Sequence, residues 1–240
     1  MNRIYVFMAV IAASAIVVLS ACNGFTCKKG SGKQITETRK MADFSKLDIS
    51  GGYDVVIKQD TAESLSITAD DNLMKYIKTE VNGDKLRVHS SGNICSTGKF
   101  VINISLRNLS AIKTSGAVAI SSPGKINVKD LDLDFSGASK ITLDLNANNV
   151  STSGSGLTEL NLTGQASTHN VELSGSGHIN AFDFVVAKYH IETSGSSHCQ
   201  INVLNELNIN SSGTSDIEYR GNPANISNNK SGASSLKKVE

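Results

Sequence analysis

"LSGSGHIN", Leu173–Asn180, joins a Ser-Gly pair to an apolar residue a fixed few places later, and its core recurs along the second half of the chain. The recurrent glycines are Gly116, Gly137, Gly154, Gly175, Gly195, Gly213 and Gly232, at intervals of 21, 17, 21, 20, 18 and 19 residues. A period near 20 residues is that of stacked structural repeats, each burying its face against the next. Aligned on the glycine, the repeats agree in their apolar positions. Four residues before it stand Leu133, Val150, Val171, Ile191 and Ile209, and two before it Phe135, Thr152, Leu173, Thr193 and Ser211. Four after it stand Ile120, Ile141, Thr158, Ile179, Cys199, Ile217 and Leu236, and six after it Leu143, Leu160, Ala181, Ile201 and Tyr219. The residues between are polar, so the chain alternates with period two on both sides of the glycine, as a strand with one buried face does.

Each repeat therefore reads as strand, Ser-Gly corner, strand and return, and the expected fold class is an all-β solenoid spanning 111–240. Glycine at the corner supplies a positive φ or a close approach to the neighbouring repeat. The preceding serines, Ser115, Ser136, Ser153, Ser174, Ser194, Ser212 and Ser231, are expected to stack in a column and bond one another or the local backbone.

Residues 43–110 differ. Phe44, Leu47, Ile49, Tyr53, Val55, Ile57, Leu65 and Ile67 alternate with polar residues as paired strands do. Asp70 to Ile77 predicts one or two helical turns, Asn82-Gly83-Asp84 a hairpin turn, and Val101 to Leu106 a further strand. This part is expected to continue the β-structure and to cap the open end of the first repeat.

The amino-terminal segment 1–21 has the form of a lipoprotein signal peptide: a basic start at Arg3, an apolar run to Leu19, then Leu19-Ser20-Ala21-Cys22. Cleavage before Cys22 leaves its thiol to carry a diacylglycerol, and several acyl chains hold a protein stably on a membrane. Residues 22–42, rich in Gly, Ser and Lys at their start, are expected to form a tether. The formal net charge is +1, with no long run of either sign, which removes the electrostatic case for nucleic acid. A lipoprotein matures where disulfides persist. Cys27 and Cys95, both in irregular segments, are the expected pair, although spacing alone does not fix connectivity. Cys199 falls on an inward position and reads as a small core residue.

With "FSKLDISGGYDVVIKQD", "ITADDNLMKYIKTEVNGDKLRV", "LDLDFSGASKITLDL", "LSGSGHINA" and "IEYRGNPANI", residues 43–236 resemble the bacterial envelope family named putative auto-transporter adhesin, head GIN domain. The resemblance implies a right-handed, single-stranded β-helix, commonly on a lipoprotein of a Gram-negative bacterium, and brings no catalytic residues with it.

Two outward ladders bear chemistry. Three residues before the glycine run Asp134, Ser151, Glu172, Glu192 and Asn210. Glu172 and Glu192, one rung apart, have about the 5 Å spacing of a retaining glycosidase pair. They project from one wall rather than across a bond, which favours a ligand-binding face with Asp134. Three residues after the glycine run Lys140, Leu157, His178, His198 and Asp216, and His178, His198 and Asp216 are a candidate metal set. No Gly-rich phosphate loop, nucleophile elbow or Cys-x-x-Cys pair is present.

The expectation is a non-enzymatic, lipid-anchored envelope protein without cofactor, acting as an adhesin-like binding module or scaffold. Its expected partners are the membrane, a glycan or envelope protein, and a second copy in a homo-oligomer. The alternative is a carbohydrate-active enzyme using the outward carboxylates. Asn-Gly-Phe-Thr after Cys22 lacks an acidic export cluster, which favours the periplasmic side of the outer membrane over the cell surface.

Overall fold

The computed structural model describes residues 27–95 and 98–240. The expected signal segment 1–21 and the expected lipidation site Cys22 lie outside the described residues. The described chain is all-β, its helical content a single 3₁₀ turn at Met74–Tyr76 inside the stretch expected to coil.

Its strands are β1 (Lys28–Lys29), β2 (Gln34–Arg39), β3 (Lys46–Gln59), β4 (Ser64–Asp70), β5 (Ile77–Asn82), β6 (Lys85–Ser90), β7 (Ile94–Cys95), β8 (Val101–Leu106), β9 (Ala111–Asn127), β10 (Asp130–Arg220) and β11 (Asn225–Lys238). The main sheet runs β11-β10-β9-β3-β8-β4-β2. Pairing from β3 through β9 and β10 to β11 is parallel, with Gly51 on Gly116, Gly116 on Gly137 and Gly213 on Gly232. β10 is one run of extended backbone that passes five corner glycines. Side-chain amides repeat the same stacking: Asn146 Nδ2 donates to Asn127, Gln165 Nε2 to Asn146 and Asn229 Nδ2 to Asn210, each bond 3.0 Å long.

The corner column corrects the sequence alignment at one repeat. In these repeats the positive-φ corner glycines are Gly116, Gly137, Gly156, Gly175, Gly195, Gly213 and Gly232, so Gly156 and not Gly154 turns the third repeat. The intervals become 21, 19, 19, 20, 18 and 19 residues. Within Ser153-Gly154-Ser155-Gly156 the slip is two residues, which keeps every side chain on its own face. Ser153 therefore replaces Ser151 three places before the corner, and Glu159 replaces Leu157 three places after it. The column also begins earlier than expected, since Ser50-Gly51 in β3 is its first member and Ser115 Oγ donates to Ser50 Oγ at 2.7 Å.

The segment 60–110 interrupts the repeat and covers the free edge of β3. β6 pairs with Lys46–Ser50 and β8 with Asp54–Gln59, both parallel. β5 and β6 form the expected hairpin around Gly83. A second correction concerns the tether. Gln34–Arg39 is β2, antiparallel to β4 in the main sheet, and Lys28–Lys29 pairs with Ile94–Cys95 in a separate two-stranded sheet, so strand pairing begins at Lys28. Ile35, Glu37 and Arg39 share one face of this edge strand, and Arg39 Nη1 donates to the Ile77 carbonyl at 2.7 Å. The disulfide joins Cys27 to Cys95 across 68 residues of chain, a closure that restricts the unfolded state. At the opposite end, β11 carries Asn228, Lys230 and Ser234 where inner repeats bury apolar or hydroxyl side chains. That polar last repeat closes the stack, and its lysines discourage edge-to-edge pairing.

Inward residues four places either side of the corner are buried along the stack: Ile112, Leu133, Val171, Ile191 and Ile209 before it, and Ile120, Ile141, Leu160, Ile179, Cys199 and Ile217 after it. Nearer the corner, Phe135, Leu173 and Val118 are inward and apolar, several other inward residues are small and hydroxylated, and hydroxyls among these pair. Thr114 bonds Ser139 at 2.8 Å, Thr193 bonds Ser215 at 2.8 Å, and Ser197 donates to Ser215 at 3.0 Å. Burying an unbonded hydroxyl would be costly, so these pairs make a polar core strip tolerable. Burial also pushes the Cys199 thiol up to about 12, consistent with an inert core residue.

Gly175→Ala tests the corner directly. Its φ is 105°, and an added Cβ would lie 2.8 Å from the Gly156 carbonyl oxygen and 3.0 Å from its nitrogen. Alanine there is expected to cost more than about 1 kcal/mol in denaturant unfolding, through strain and through displaced backbone. Gly124→Ala, where a Cβ meets nothing within 4 Å, is expected to be neutral or slightly stabilising. Equal effects at the two sites would contradict the stacked corner.

His169 generates a pH prediction. It is fully buried, bonds Thr152 Oγ1 through Nε2 at 2.9 Å, and packs against Phe184 and Tyr189. Desolvation of the imidazolium lowers its pKa from 6.5 to about 3. Above the ordinary value both folded and unfolded states are neutral, so stability is complete. As pH falls from about 6.5 toward 3 the unfolded chain binds the proton first, and up to about 4–5 kcal/mol is lost. Urea titrations across this range should give a steeper pH slope for the wild type than for His169→Leu. Parallel curves would contradict the assignment.

Candidate functional site

Two hollows flank the corner column. The first is a polar groove of about 680 Å³ that runs across successive repeats. One side carries the outward ladder three places before the corner: Asp134, Ser153, Glu172, Glu192, Asn210 and Asn229. The other side is the serine column, Ser155, Ser174, Ser194, Ser212 and Ser231. Alternation turns the ladder outward, and the positive-φ corner bends the next strand away, so the two lines face a common trough.

The structure thus brings the expected ligand-binding residues Asp134, Glu172 and Glu192 into one groove. Asp134 accepts from Lys113 Nζ at 2.6 Å and holds that ammonium above the usual lysine range. Glu192 lies 3.0 Å from His190 Nε2. Several serines are turned toward the neighbouring repeat: Ser136 Oγ donates to the Thr114 carbonyl at 3.1 Å and Ser212 Oγ to the Thr193 carbonyl at 3.3 Å. Each such hydroxyl retains lone pairs that accept from a ligand. The groove offers carboxylates, amides and hydroxyls at rungs about 4.8 Å apart. Its carboxylates stand along one wall, an arrangement for repeated hydrogen bonding rather than for attack on opposite sides of a bond.

The second ladder, three places after the corner, runs Lys140, Glu159, His178, His198, Asp216 and Ser235. Lys140 Nζ meets Glu159 at 2.9 Å, His198 Nδ1 meets Asp216 at 3.3 Å, and Ser235 donates to Asp216. The lysine and Asn161 together hold the Glu159 carboxyl below its usual range. The expected metal set His178, His198 and Asp216 shares this ladder but does not converge. The two imidazole centroids are 6.2 Å apart, Asp216 is engaged with His198 and Ser235, and among the described residues no three His, Cys, Asp or Glu side chains gather as metal ligands. Glu159 was missed because the two-residue slip assigned Leu157 to its rung. Also unrecognised in the sequence was the hollow beside this ladder, which depends on a loop that pairs with residues far from it in the chain.

The family pattern described as "Putative auto-transporter adhesin, head GIN domain" matches residues 43–223. No curated protein sequence matches the chain. Among solved structures, a "putative adhesin" from Bacteroides fragilis NCTC 9343 superposes with a TM-score of 0.78 at 21% identity, covering 88% of this chain and 100% of that one. A "putative adhesin" from Parabacteroides merdae ATCC 43184 gives 0.64 at 21% identity, covering 89% and 99%. A "Putative lipid binding protein" from Parabacteroides distasonis ATCC 8503 gives 0.66 at 21% identity, covering 90% and 100%. At that identity the structural likenesses establish a common fold. With three quarters of its length matched by the family pattern, and with the fold those structures share, the chain belongs to the putative auto-transporter adhesin, head GIN domain family.

Proposed function

We propose that this protein is a lipid-anchored envelope binding module that holds a hydroxyl-rich polymer, a glycan or a glycan-bearing envelope protein, in the groove beside its serine column. The observation that carries the reading is the alignment of Asp134, Glu172, Glu192, Asn210 and Asn229 opposite five serines in one trough. Hydrogen-bonding side chains repeated at constant rise suit a ligand that itself repeats. The ladder lacks the exposed aromatics on which sugars stack, so the expected affinity is modest and arises from many equivalent bonds. The family description as an adhesin supports a non-catalytic role at the cell envelope.

The wrap of the repeats is proposed to be a right-handed β-helix. Each repeat returns to pair in parallel with its predecessor, and such crossovers are right-handed in about 98% of cases. The domain is proposed to follow a signal peptide of residues 1–21, with Cys22 as lipid-bearing first residue and the outer membrane as its location. Cys22→Ala is expected to leave an unprocessed precursor without lipid label. A variant that still matures and still partitions into detergent would contradict the anchor.

Glycan-array binding by the purified domain tests the groove. Glu172→Gln with Glu192→Gln should weaken capture of neutral glycans only a few-fold, because amides keep much of the hydrogen-bonding capacity. Replacing Ser174, Ser194 and Ser212 together by bulky Gln should abolish capture by filling the trough, while circular dichroism stays unchanged. A reducing-sugar assay distinguishes the enzyme alternative: hydrolysis by the wild type that disappears in the double Gln variant would replace the binding reading with a catalytic one.

A further inference from the structure

The second hollow, about 990 Å³ in volume, lies on the other side of the corner column. Its wall carries the exposed side chains of Ala117, Ala138 and Leu157 from three successive repeats, and Ile94, Phe100 and the core residue Val118 also line it. Leu157 is 61% exposed there, a large apolar side chain with solvent in front of it. Phe100 is fixed by an edge-on contact with Tyr53, whose hydroxyl bonds Ser90 Oγ at 2.5 Å. Lys140 and Glu159 form a charged rim, with His178 beside them. A slot with an apolar floor and a charged rim fits a ligand that is a hydrocarbon chain ending in a polar group.

On the lipoprotein reading, the chain's own anchor would begin close to this place. Ile94 lines the slot, Lys28 pairs with Ile94, and Cys27 is joined to Cys95 beside it. Cys22 precedes Cys27 by five residues, a span of at most about 18 Å. An acyl chain adds roughly 15 Å, half the hydrocarbon thickness of a bilayer. On the lipoprotein reading, the disulfide therefore ties the anchor within reach of this apolar slot.

We propose that this slot shelters an acyl chain of the protein's own Cys22 anchor while the protein is off the bilayer. This rests on the lipoprotein reading above. Burying methylenes against Ala117, Ala138 and Leu157 lowers the cost of exposing an anchored chain to water, and insertion into a membrane, where all chains find hydrocarbon, empties the slot.

The test uses full-length protein from cells fed a diazirine-bearing fatty acid, purified in detergent, transferred to detergent-free buffer, irradiated and mapped by mass spectrometry. The expected result is a monomeric fraction in which the Cys22 label is crosslinked to peptides containing Ala117, Ala138 or Leu157. Leu157→Glu and, separately, Ala138→Gln, both exposed and tolerant of change, should reduce those crosslinks at least fivefold and shift the protein toward aggregates. Label present on Cys22 but crosslinked only elsewhere, or only between copies, overturns the slot while leaving the anchor intact. Absence of label from wild-type protein overturns the anchor and the slot together. A co-purified lipid crosslinked to the same peptides in Cys22→Ala protein makes the slot a site for free lipid and overturns the proposal.

Discussion

Close approach of backbones at the Ser-Gly corner is the constraint on which the rest of the stack depends. At Gly175 the carbonyl oxygen of the glycine one repeat back lies only 2.8 Å from where a Cβ would be, and the approach is at least as close at the other corner glycines from Gly116 to Gly232. The corner therefore fixes both the bend of each repeat and its vertical position on the one before. With the corner fixed, period-two alternation settles which residues enter the core and which form ladders. The polar core strip follows as well. Small hydroxylated residues fit beside a tight bend, and their pairing across repeats relieves the cost of burying them.

That geometry generates both hollows. One strand leaves the corner toward the polar ladder and the other toward the apolar slot, so a single column of glycines separates a hydrogen-bonding trough from a hydrocarbon-lined one. The segment 60–110 contributes twice, covering the edge of β3 and supplying the overhang of the slot. Stability and site construction thus draw on the same insertion, and the disulfide fastens its far end to the amino-terminal strand.

Much of this was legible in the residues. The repeat, the inward columns from Leu133 to Ile217, the hairpin at Gly83 and the grouping of Asp134 with Glu172 and Glu192 follow from spacing and alternation, and the Cys27–Cys95 pair was expected because both cysteines lie in irregular segments. Three features were not, each for a physical reason. A slip of two residues at Gly154 and Gly156 leaves every side chain on its face, so hydrophobic pattern is blind to it, and it exchanged Leu157 for Glu159 in the outward ladder. Ser50-Gly51 was hidden because the insertion separates it from Gly116 by 65 residues, far from the period. The strands at Lys28–Lys29 and Gln34–Arg39 are exposed edges, whose sequence carries little apolar signal.

Cysteine crosslinking across the third and fourth repeats tests the corner account most directly, since it reads the stacking of the third repeat without relying on stability. With Gly156 on Gly175, residues 159 and 178 are neighbours on adjacent rungs, within the 4.4–6.8 Å range of Cα separations that a disulfide bridges. Residue 157 is then two places out of step with residue 178. Under mild oxidation the pair Glu159→Cys with His178→Cys should close rapidly and completely, and the pair Leu157→Cys with His178→Cys should remain largely reduced. Preferential closure of the second pair would put Gly154 at the corner and contradict the stack described here.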